Sequence, residues 1–258
     1  MSHISETKGI VLMVRNYREK DKLIKIFTER YGKMMFFVKN AHRPNNGLAA
    51  AILPYTEAEY IASIKDEGLS FLNSSKSVHS FTQIQGDIFI SAYATYILNL
   101  VDAAIEDRYY DPFLYSFTQQ ALVSLNEGKD PEIITNIFEI QIMQRFGVAL
   151  NWERCAICGC TEGKFDFSSK YHGVICEQHF HMDERRQHCD ARALHFIRLF
   201  SNISYDRIQD IKVKEQTKGQ IRLEIDRLYE EFVGIHLKSK SFIDKMKNWE
   251  QTLKIPDR

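Results

Sequence analysis

The chain has 258 residues, of which 44% are hydrophobic and 26% are charged, and its formal net charge is zero. This composition is typical of a soluble globular protein that is long enough for two domains. No apolar run reaches the roughly 18–20 residues that a membrane-spanning helix needs, and the first residues lack the basic leader of a signal peptide. We therefore expect no membrane association. Four of the five cysteines lie in one local cluster, which favours a reducing, cytoplasmic compartment over a disulfide framework.

The zero net charge hides an uneven distribution along the chain. Residues 8–43 hold ten Lys or Arg against three Asp or Glu, whereas residues 44–150 hold five against thirteen. A basic segment of this kind indicates a polyanionic partner for the beginning of the chain.

The first eighty residues show the short apolar and alternating runs that predict strands. Gly, Pro, Asn and charged residues separate these runs, as turns require. Five strands without a helical pattern favour a small β-barrel or sandwich. The predicted strands span residues 9–15, 21–28, 33–39, 54–63 and 69–78.

Beyond residue 80 the apolar positions recur every three or four residues, which predicts helices. Two helices have a clear start signal, because Asp111-Pro112 and Asp130-Pro131 each place an acidic N-cap before a proline. Cys, Gly, Ser and His then interrupt the helical pattern. We thus predict an α+β multidomain chain, with a β-barrel domain over residues 1–80 and a helical domain over residues 81–258 that carries an insert at 151–183.

The insert holds two pairs of potential metal ligands, Cys155-x2-Cys158 and Cys176-x2-His179, separated by seventeen residues. Two thiolates three positions apart on a tight turn can point at one ion, and two such turns supply the tetrahedron that Zn²⁺ prefers. Gly159 lies where such a turn needs a residue that can adopt a positive φ. We predict a structural Zn²⁺ held by these four side chains, which leave no coordination position for a reactive water.

Two alternatives to this ligand set remain open. The thiols are reduced and hold no metal, or another side chain replaces one of the four; Cys160 is the nearest substitute, and the further spares are His172, His181, His188 and Cys189. The chain has neither HExxH nor the signature of the zinc deaminases. We therefore predict that it is not an enzyme, and a zinc hydrolase or deaminase is the least favoured class.

The predicted barrel interleaves cations with aromatic side chains, a combination that suits single-stranded nucleic acid. Phe27, Phe36 and Phe37 are expected in the core, whereas Tyr17 and Tyr31 lie at turns and are better placed to stack on bases. The predicted DNA-binding residues are Arg15, Arg18, Lys22, Lys33, Lys39, His42 and Arg43, together with Tyr17 and Tyr31.

The segment KGIVLMVRNYREKDKLIKIFTERYGKMMFFVKNAHRP, the helical remainder and the Cys-x2-Cys…Cys-x2-His insert resemble the bacterial RecO family along essentially the whole chain. The resemblance implies an OB-fold followed by a helical domain with a zinc finger. It also implies a recombination mediator, associated with the nucleoid during repair, that binds single- and double-stranded DNA and anneals complementary strands. The implied partners are RecR, the single-strand-binding protein and, indirectly, the recombinase RecA.

Two positions depart from the family pattern. His179 stands where family members often have a cysteine, and the loop after the third strand keeps only Lys39, His42 and Arg43 as basic residues. The alternative function is a protein-interaction scaffold, in which the helical domain recruits a repair partner and the barrel is only structural.

Overall fold

The computed structural model of the protein describes residues 2–41, 43, 46–208 and 211–253, and of residues 247–253 only the backbone. The described chain combines a strand-rich N-terminal part with a helical remainder, as the sequence predicts. It divides into two compact units, Met1–Lys129 with Leu237–Arg258, and Asp130–His236. The predicted boundary at residue 80 coincides with the change from strands to helices and lies inside the first unit.

The five N-terminal strands close into a barrel in the order β1-β2-β3-β5-β4. Neighbouring strands run antiparallel except for β3 and β5, which pair in parallel through Phe36↔Ser70 and Phe37↔Phe71. The strands are β1 (Ser2–Tyr17), β2 (Asp21–Thr28), β3 (Gly32–Val38), β4 (Thr56–Lys65) and β5 (Ser70–Ser80).

Strand β1 is longer than the sequence predicts, because it begins at Ser2 and not at residue 9. Its polar first half lies along β4, with pairs running from Ser2↔Lys65 to Ile10↔Glu57. A register shift between Val11 and Met13 interrupts its pairing with β2. One strand thus serves two neighbours, which is how a small sheet closes on itself.

The barrel interior is filled by large side chains from alternate strand positions. Ile26, Phe36 and Tyr60 are fully buried there, as the period of two along a strand requires. The Tyr60 hydroxyl, in this apolar interior, donates a hydrogen bond of 2.5 Å to the carbonyl of Ala51. The loop that contains Ala51 is therefore tied to the barrel core, and Leu48 and Ile52 of that loop are buried with it.

Two of the helices, which follow Asp111 and Asp130, begin where the sequence predicts. The Asp111 carboxylate accepts a hydrogen bond from Leu114 N at 2.8 Å, and the Asp130 carboxylate accepts from Glu132 N at 3.0 Å, so both predicted Asp-Pro start signals are confirmed. The helices are α1 (Thr82–Gly86), α2 (Ile88–Ala104), α3 (Pro112–Asn126), α4 (Pro131–Ile142), α5 (Ala191–Phe200), α6 (Glu215–Leu228) and α7 (Lys238–Leu253). In the part of the chain that the structure describes, no helix is both long enough and apolar enough to cross a membrane.

The predicted insert lies in the second unit and contains a two-stranded hairpin of β6 (Phe165–Ser168) and β7 (Gly173–Cys176). A 3₁₀ turn, Glu177–Met182, follows β7 directly. The hairpin packs through Phe167, whose ring stacks on Trp152 with centroids 5.0 Å apart. This places the end of β7 beside the loop that holds the first three cysteines.

Candidate metal centre and nucleic-acid surface

Four cysteine sulfurs gather at one end of the hairpin. The Sγ atoms of Cys155, Cys158, Cys160 and Cys176 all lie within 4.8 Å of one another. The first three belong to one tight loop, which is closed by a 2.8 Å hydrogen bond from Cys155 N to Cys160 O. Gly159 has a φ of +77° in this loop, so the predicted left-handed residue is confirmed.

The cysteine loop is fixed to β7 by backbone contacts. Ala156 N donates to Val174 O at 2.8 Å, and Cys176 N donates to the Cys155 sulfur at 3.3 Å. Further along, Asn151 lies so close to Gly173 that a side chain at Gly173 would collide with the Asn151 carbonyl at 2.5 Å. Both halves of the cysteine cluster are therefore held in place by main chain and not by side-chain packing alone.

His179, which the sequence predicts as the fourth ligand, lies beside the cysteine cluster but is not among the residues whose donor atoms all lie within 4.8 Å of one another; Cys160 is. The Nδ1 of His179 lies 3.2 Å from the Cys176 sulfur and 3.8 Å from the Cys155 sulfur, while the Cys158 and Cys176 sulfurs are 3.8 Å apart. With Zn–S bonds of about 2.3 Å and Zn–N bonds of about 2.0 Å, a tetrahedral ion separates two sulfurs by about 3.8 Å and a sulfur from a nitrogen by about 3.5 Å. The separation of the Cys158 and Cys176 sulfurs matches this geometry, and the four sulfurs together could hold a metal ion.

The surroundings of the thiols lower the pKa of Cys155 but raise the pKa of Cys160 and of Cys176, in the latter two cases chiefly through burial. Burial opposes ionisation of Cys155, but the backbone N–H groups of Cys158, Ile157 and Cys176 outweigh it and lower the pKa of Cys155 to about 6. Burial and the neighbouring sulfurs of Cys158 and Cys176 raise the pKa of Cys160 to about 12. A metal ion removes this difference, because a coordinated thiol is deprotonated outright.

The other spare ligands have structural partners of their own. The His172 ring contacts Phe232 with centroids 5.7 Å apart, and Cys189 N donates to the Asp166 carboxylate at 3.0 Å. His188 N donates to the same carboxylate at 3.1 Å. The His181 ring stacks on that of His179 at a centroid distance of 6.4 Å. Among the described residues, none of these four belongs to the group of sulfurs within 4.8 Å of one another.

The outer face of the barrel is divided into a covered half and an open half. In β2, Ile24 and Ile26 point into the barrel interior, so Leu23, Lys25 and Phe27 point outward. Helix α2 covers one of these positions, because Lys25 Nζ lies 2.9 Å from the Asp102 carboxylate. Helix α3 covers another, where the Phe27 and Tyr115 rings meet at 5.5 Å.

Lys33 lies on the covered half, which corrects its predicted role. Its side chain is 7% exposed, and its ammonium is 3.0 Å from an Asp102 carboxylate oxygen and also donates to the Asp102 carbonyl. An ammonium held in this way is unavailable to a phosphate. Tyr31 also lies at this end of the barrel, partly buried against the core, with its hydroxyl 2.6 Å from that of Ser5. Its predicted role as an open stacking platform therefore has no support in the geometry.

The open half carries a row of aromatic rings from three strands, β1, β3 and β5. Phe37 meets Tyr17 edge to face at 6.1 Å and meets Phe71 in the same way at 5.7 Å. Tyr17 and Phe71 are 39% and 38% exposed, which leaves their ring surfaces accessible to a ligand. We call Tyr17, Phe37 and Phe71 the aromatic row. The register places Arg15, Leu23, Phe37 and Phe71 opposite one another along this line of the barrel.

Cations border the aromatic row at both ends. The Arg18 guanidinium lies 5.2 Å from the centroid of the Tyr17 ring, and the Lys65 ammonium lies 5.0 Å from that of Phe71. Arg15 is exposed and follows the same outward face of β1 as Tyr17. The three adjoining rings are thus flanked by cations on both sides.

The remaining predicted DNA contacts are spread around this end of the barrel. Lys22 pairs with Val38, an interior position, so its side chain leaves by the barrel end and not by the outer face. Lys39 and Arg43 are exposed in the loop that follows β3. His42 lies outside the described residues. The basic residues of the N-terminal segment are therefore distributed over several parts of the barrel surface, and only some of them lie beside the aromatic row.

Sequence reasoning missed three members of this surface. It predicts a core position for Phe37, but only Phe36 faces the interior, and consecutive strand residues must face opposite sides. That alternation is a signal which the sequence does contain. Phe71 and Lys65 lie far from the basic segment along the chain, and only the closure of the barrel brings them to it.

Comparison with known proteins identifies relatives along the whole chain. The family "Recombination protein O N terminal" matches residues 1–81, and "Recombination protein O C terminal" matches residues 85–241. A protein named DNA repair protein RecO from Enterococcus faecalis is 66% identical over 255 residues, covering 99% of this chain and 97% of the relative. Proteins of the same name from Streptococcus suis and Lactococcus lactis subsp. cremoris are 49% and 48% identical; the alignments cover 96% and 97% of this chain and 95% and 99% of the relatives.

Proposed function

The chain belongs to the RecO family of DNA repair and recombination proteins, and from this premise we propose that it is a non-enzymatic DNA-binding mediator. It binds single- and double-stranded DNA and anneals complementary strands. It acts with RecR to replace the single-strand-binding protein by RecA, as the family resemblance implies. The barrel is an OB-fold that binds DNA. A structural zinc ion, held in the thiol cluster of Cys155, Cys158, Cys160 and Cys176, stabilises the helical part.

The observation that carries the DNA-binding proposal is the aromatic row with its flanking cations. Bases stack on aromatic side chains with about 1–3 kcal/mol per base and without sequence preference, because every base has a π-face. Arg15, Arg18 and Lys65 stand where a backbone crossing the row would place its phosphates. Such a surface holds a single strand with its bases turned toward the protein.

Annealing follows from the same chemistry without nucleotide hydrolysis. Two DNA strands repel each other through their phosphates, and cations at the protein surface reduce that repulsion. Base pairing then supplies the driving force. Because the paired product hides its bases, it no longer stacks on the aromatic row and is held through its phosphates alone. The duplex is therefore held less tightly than the single strands from which it forms.

Fluorescence anisotropy of a labelled single-stranded oligonucleotide across a salt series tests this proposal. We expect Tyr17→Ala with Phe71→Ala to weaken binding by about tenfold or more because stacking is removed, with the salt slope unchanged. Arg15→Ala with Arg18→Ala should instead flatten the slope, by about 0.7 for each phosphate that the protein no longer neutralises. Phe113→Ala is the matched aromatic control, since Phe113 is 81% exposed but lies on α3.

The result that overturns the proposal is equally specific. If both double variants bind the oligonucleotide as the parent protein does at every salt concentration, the row is not a DNA surface. Unfolding curves of the same variants establish that any weakening of binding is not a failure to fold.

The scaffold alternative has one observation in its favour. Tyr109 and Tyr110 in the connection between α2 and α3 are 57% and 62% exposed, and Phe113 in the first turn of α3 is 81% exposed. Exposed aromatic side chains are enriched where proteins meet. The same variants distinguish the two functions. If the protein is a scaffold, replacing Phe113 abolishes binding of its protein partner, and replacing the aromatic row leaves the DNA affinity unchanged.

A further inference from the structure

Four sulfurs form the cysteine cluster, and a fifth metal-donor side chain lies beside it, which is one more donor than a tetrahedral ion accepts. The four sulfurs are those of Cys155, Cys158, Cys160 and Cys176, all within 4.8 Å of one another. The fifth donor, Nδ1 of His179, is not a member of that group, but it lies 3.2 Å from the Cys176 sulfur and 3.8 Å from that of Cys155. Structural zinc sites in proteins are almost always four-coordinate. One of the five donors is therefore always in excess.

Three of the donors, Cys155, Cys158 and Cys176, would bind the ion in both of its possible ligand sets. Cys155 and Cys176 are buried, at 2% and 3% exposed, and a hydrogen bond from the Cys176 backbone to the Cys155 sulfur joins them. The Cys158 sulfur lies 3.8 Å from that of Cys176, the spacing expected for two ligands of one ion. These three side chains come from both halves of the cluster, so neither half can bind the ion alone.

The other two donors reach the same position from separate segments of backbone. Cys160 ends the cysteine loop, where its own carbonyl accepts the closing hydrogen bond from Cys155 N. His179 belongs to the 3₁₀ turn after β7, which begins without a side-chain cap. Removing one of these side chains leaves the segment that carries the other unchanged. The two donors are thus independent of each other in the fold.

We propose that Cys160 and His179 are interchangeable fourth ligands, so that the chain holds its ion either as Cys₃His or as Cys₄. Cys160 binds as a thiolate and releases its proton to water, whereas His179 binds through neutral Nδ1. A divalent ion with three thiolates carries a net charge of −1, and one with four carries −2. The class of ion is thiophilic and tetrahedral, with Zn²⁺ as the resident ion and Cd²⁺ as one that the four-thiolate form favours.

Cobalt substitution of the full-length protein tests the exchange, because Co²⁺ absorption distinguishes four sulfur ligands from three sulfurs and one nitrogen. We expect Cys160→Ser to bind one Co²⁺ with the Cys₃His spectrum and His179→Ala to bind one with the Cys₄ spectrum. By chelator competition, each single variant should keep its Zn²⁺ affinity within about tenfold of the parent, and the double variant should lose about 100-fold or more. Cys189→Ser, a cysteine outside the cluster, is the matched control.

Two results would overturn the inference. In one, either single variant loses metal as completely as the double variant, which makes that residue the sole fourth ligand. In the other, the double variant binds as tightly as the parent, which makes both dispensable. Cys176→Ser provides the reference for a lost site, and every variant is refolded with excess Zn²⁺, so a variant that fails to fold under these conditions counts as one that lost its metal. The outcome does not depend on DNA binding.

Discussion

The barrel and the insert with the candidate metal site both contain antiparallel strand pairs, but their buried clusters differ in size. Fifteen buried residues form the barrel core, including Phe36 and Tyr60. The corresponding cluster in the insert has three buried residues, Cys155, Ile175 and Cys176, and two of these are proposed metal ligands. A segment this short buries little apolar surface to offset its conformational entropy, and the proposed metal ion would supply the difference. On this proposal, packing stabilises the barrel and coordination stabilises the insert.

Removing the metal should break this comparison most strongly. Structural zinc contributes about 10–16 kcal/mol to the folding of isolated zinc fingers, more than the insert can replace by packing. We expect a chelator, or Cys155→Ser with Cys176→Ser, to abolish hydrogen-exchange protection across residues 151–183 while β1–β5 stay protected. Peptide-resolved hydrogen exchange measures both regions in one sample. Unchanged protection of the insert in fully metal-free protein would contradict the prediction.

A cavity in the barrel core should lower the free energy of unfolding without affecting metal binding by the insert. Phe36 is fully buried, so Phe36→Ala removes a large core side chain and should cost about 3–5 kcal/mol of unfolding free energy. Urea denaturation measures the loss, and metal content should remain that of the parent. If adding a chelator erased the difference between variant and parent, the two regions would not be independent.

The ion pairs beneath α2 should have a smaller, pH-dependent effect. Burial of the Asp102 carboxyl is opposed and outweighed by Lys25 and Lys33, which lower its pKa. Since the folded value lies below the unfolded one of about 3.9, the stabilisation is present above pH 4 and is lost as the pH falls through the folded pKa. Asp102→Asn should cost about 2 kcal/mol near neutral pH, allowing for a carboxyl that is one-third exposed.

Acid titration of stability provides the measurement for Asp102. The parent should lose more stability than Asp102→Asn between pH 4 and pH 2, so their curves converge. Parallel curves would mean that the carboxylate is not stabilised by the two lysines.

The exposed pair between Lys76 and Glu6 should show the smallest effect. Its atoms are 2.9 Å apart, but both side chains are about half exposed and therefore well screened by water and salt. We expect Lys76→Ala to leave the urea midpoint unchanged within error. A clear shift would show that surface charge, and not only the core, holds the barrel closed.

The sequence predicts those features that depend on local pattern. Alternation located the five strands, and the Asp-Pro pairs located the starts of α3 and α4, because caps act on neighbouring residues. The polar start of β1 was missed because its partner, β4, lies about fifty residues away in the chain. Lys33 was misassigned for the same reason, since its partner Asp102 is distant in sequence and the lysine resembles any other strand-end cation.

At the candidate metal site, too, the sequence does not reveal contacts that depend on the fold, although the residues concerned are close together in the chain. Cys-x2-Cys spacing indicates that two sulfurs can share an ion, whatever the rest of the fold does. It cannot decide between Cys160 and His179, because that depends on how the cysteine loop closes and how the 3₁₀ turn leaves β7. Phe37 differs from these cases: its outward direction follows from its neighbour Phe36 and was available from the sequence.

Helix α7 belongs to the first unit although it follows the second in the chain. It packs on α2, with Ser239 hydrogen-bonded to Asn99 at 3.0 Å and with Ile243 and Met246 buried. On the ribosome, α2 must wait for its covering helix while the intervening unit is translated, roughly 5–20 s at ordinary elongation rates. Each nascent chain therefore exposes the apolar face of α2 during that interval. A chaperone that binds exposed apolar helices would encounter this protein before its folding is complete.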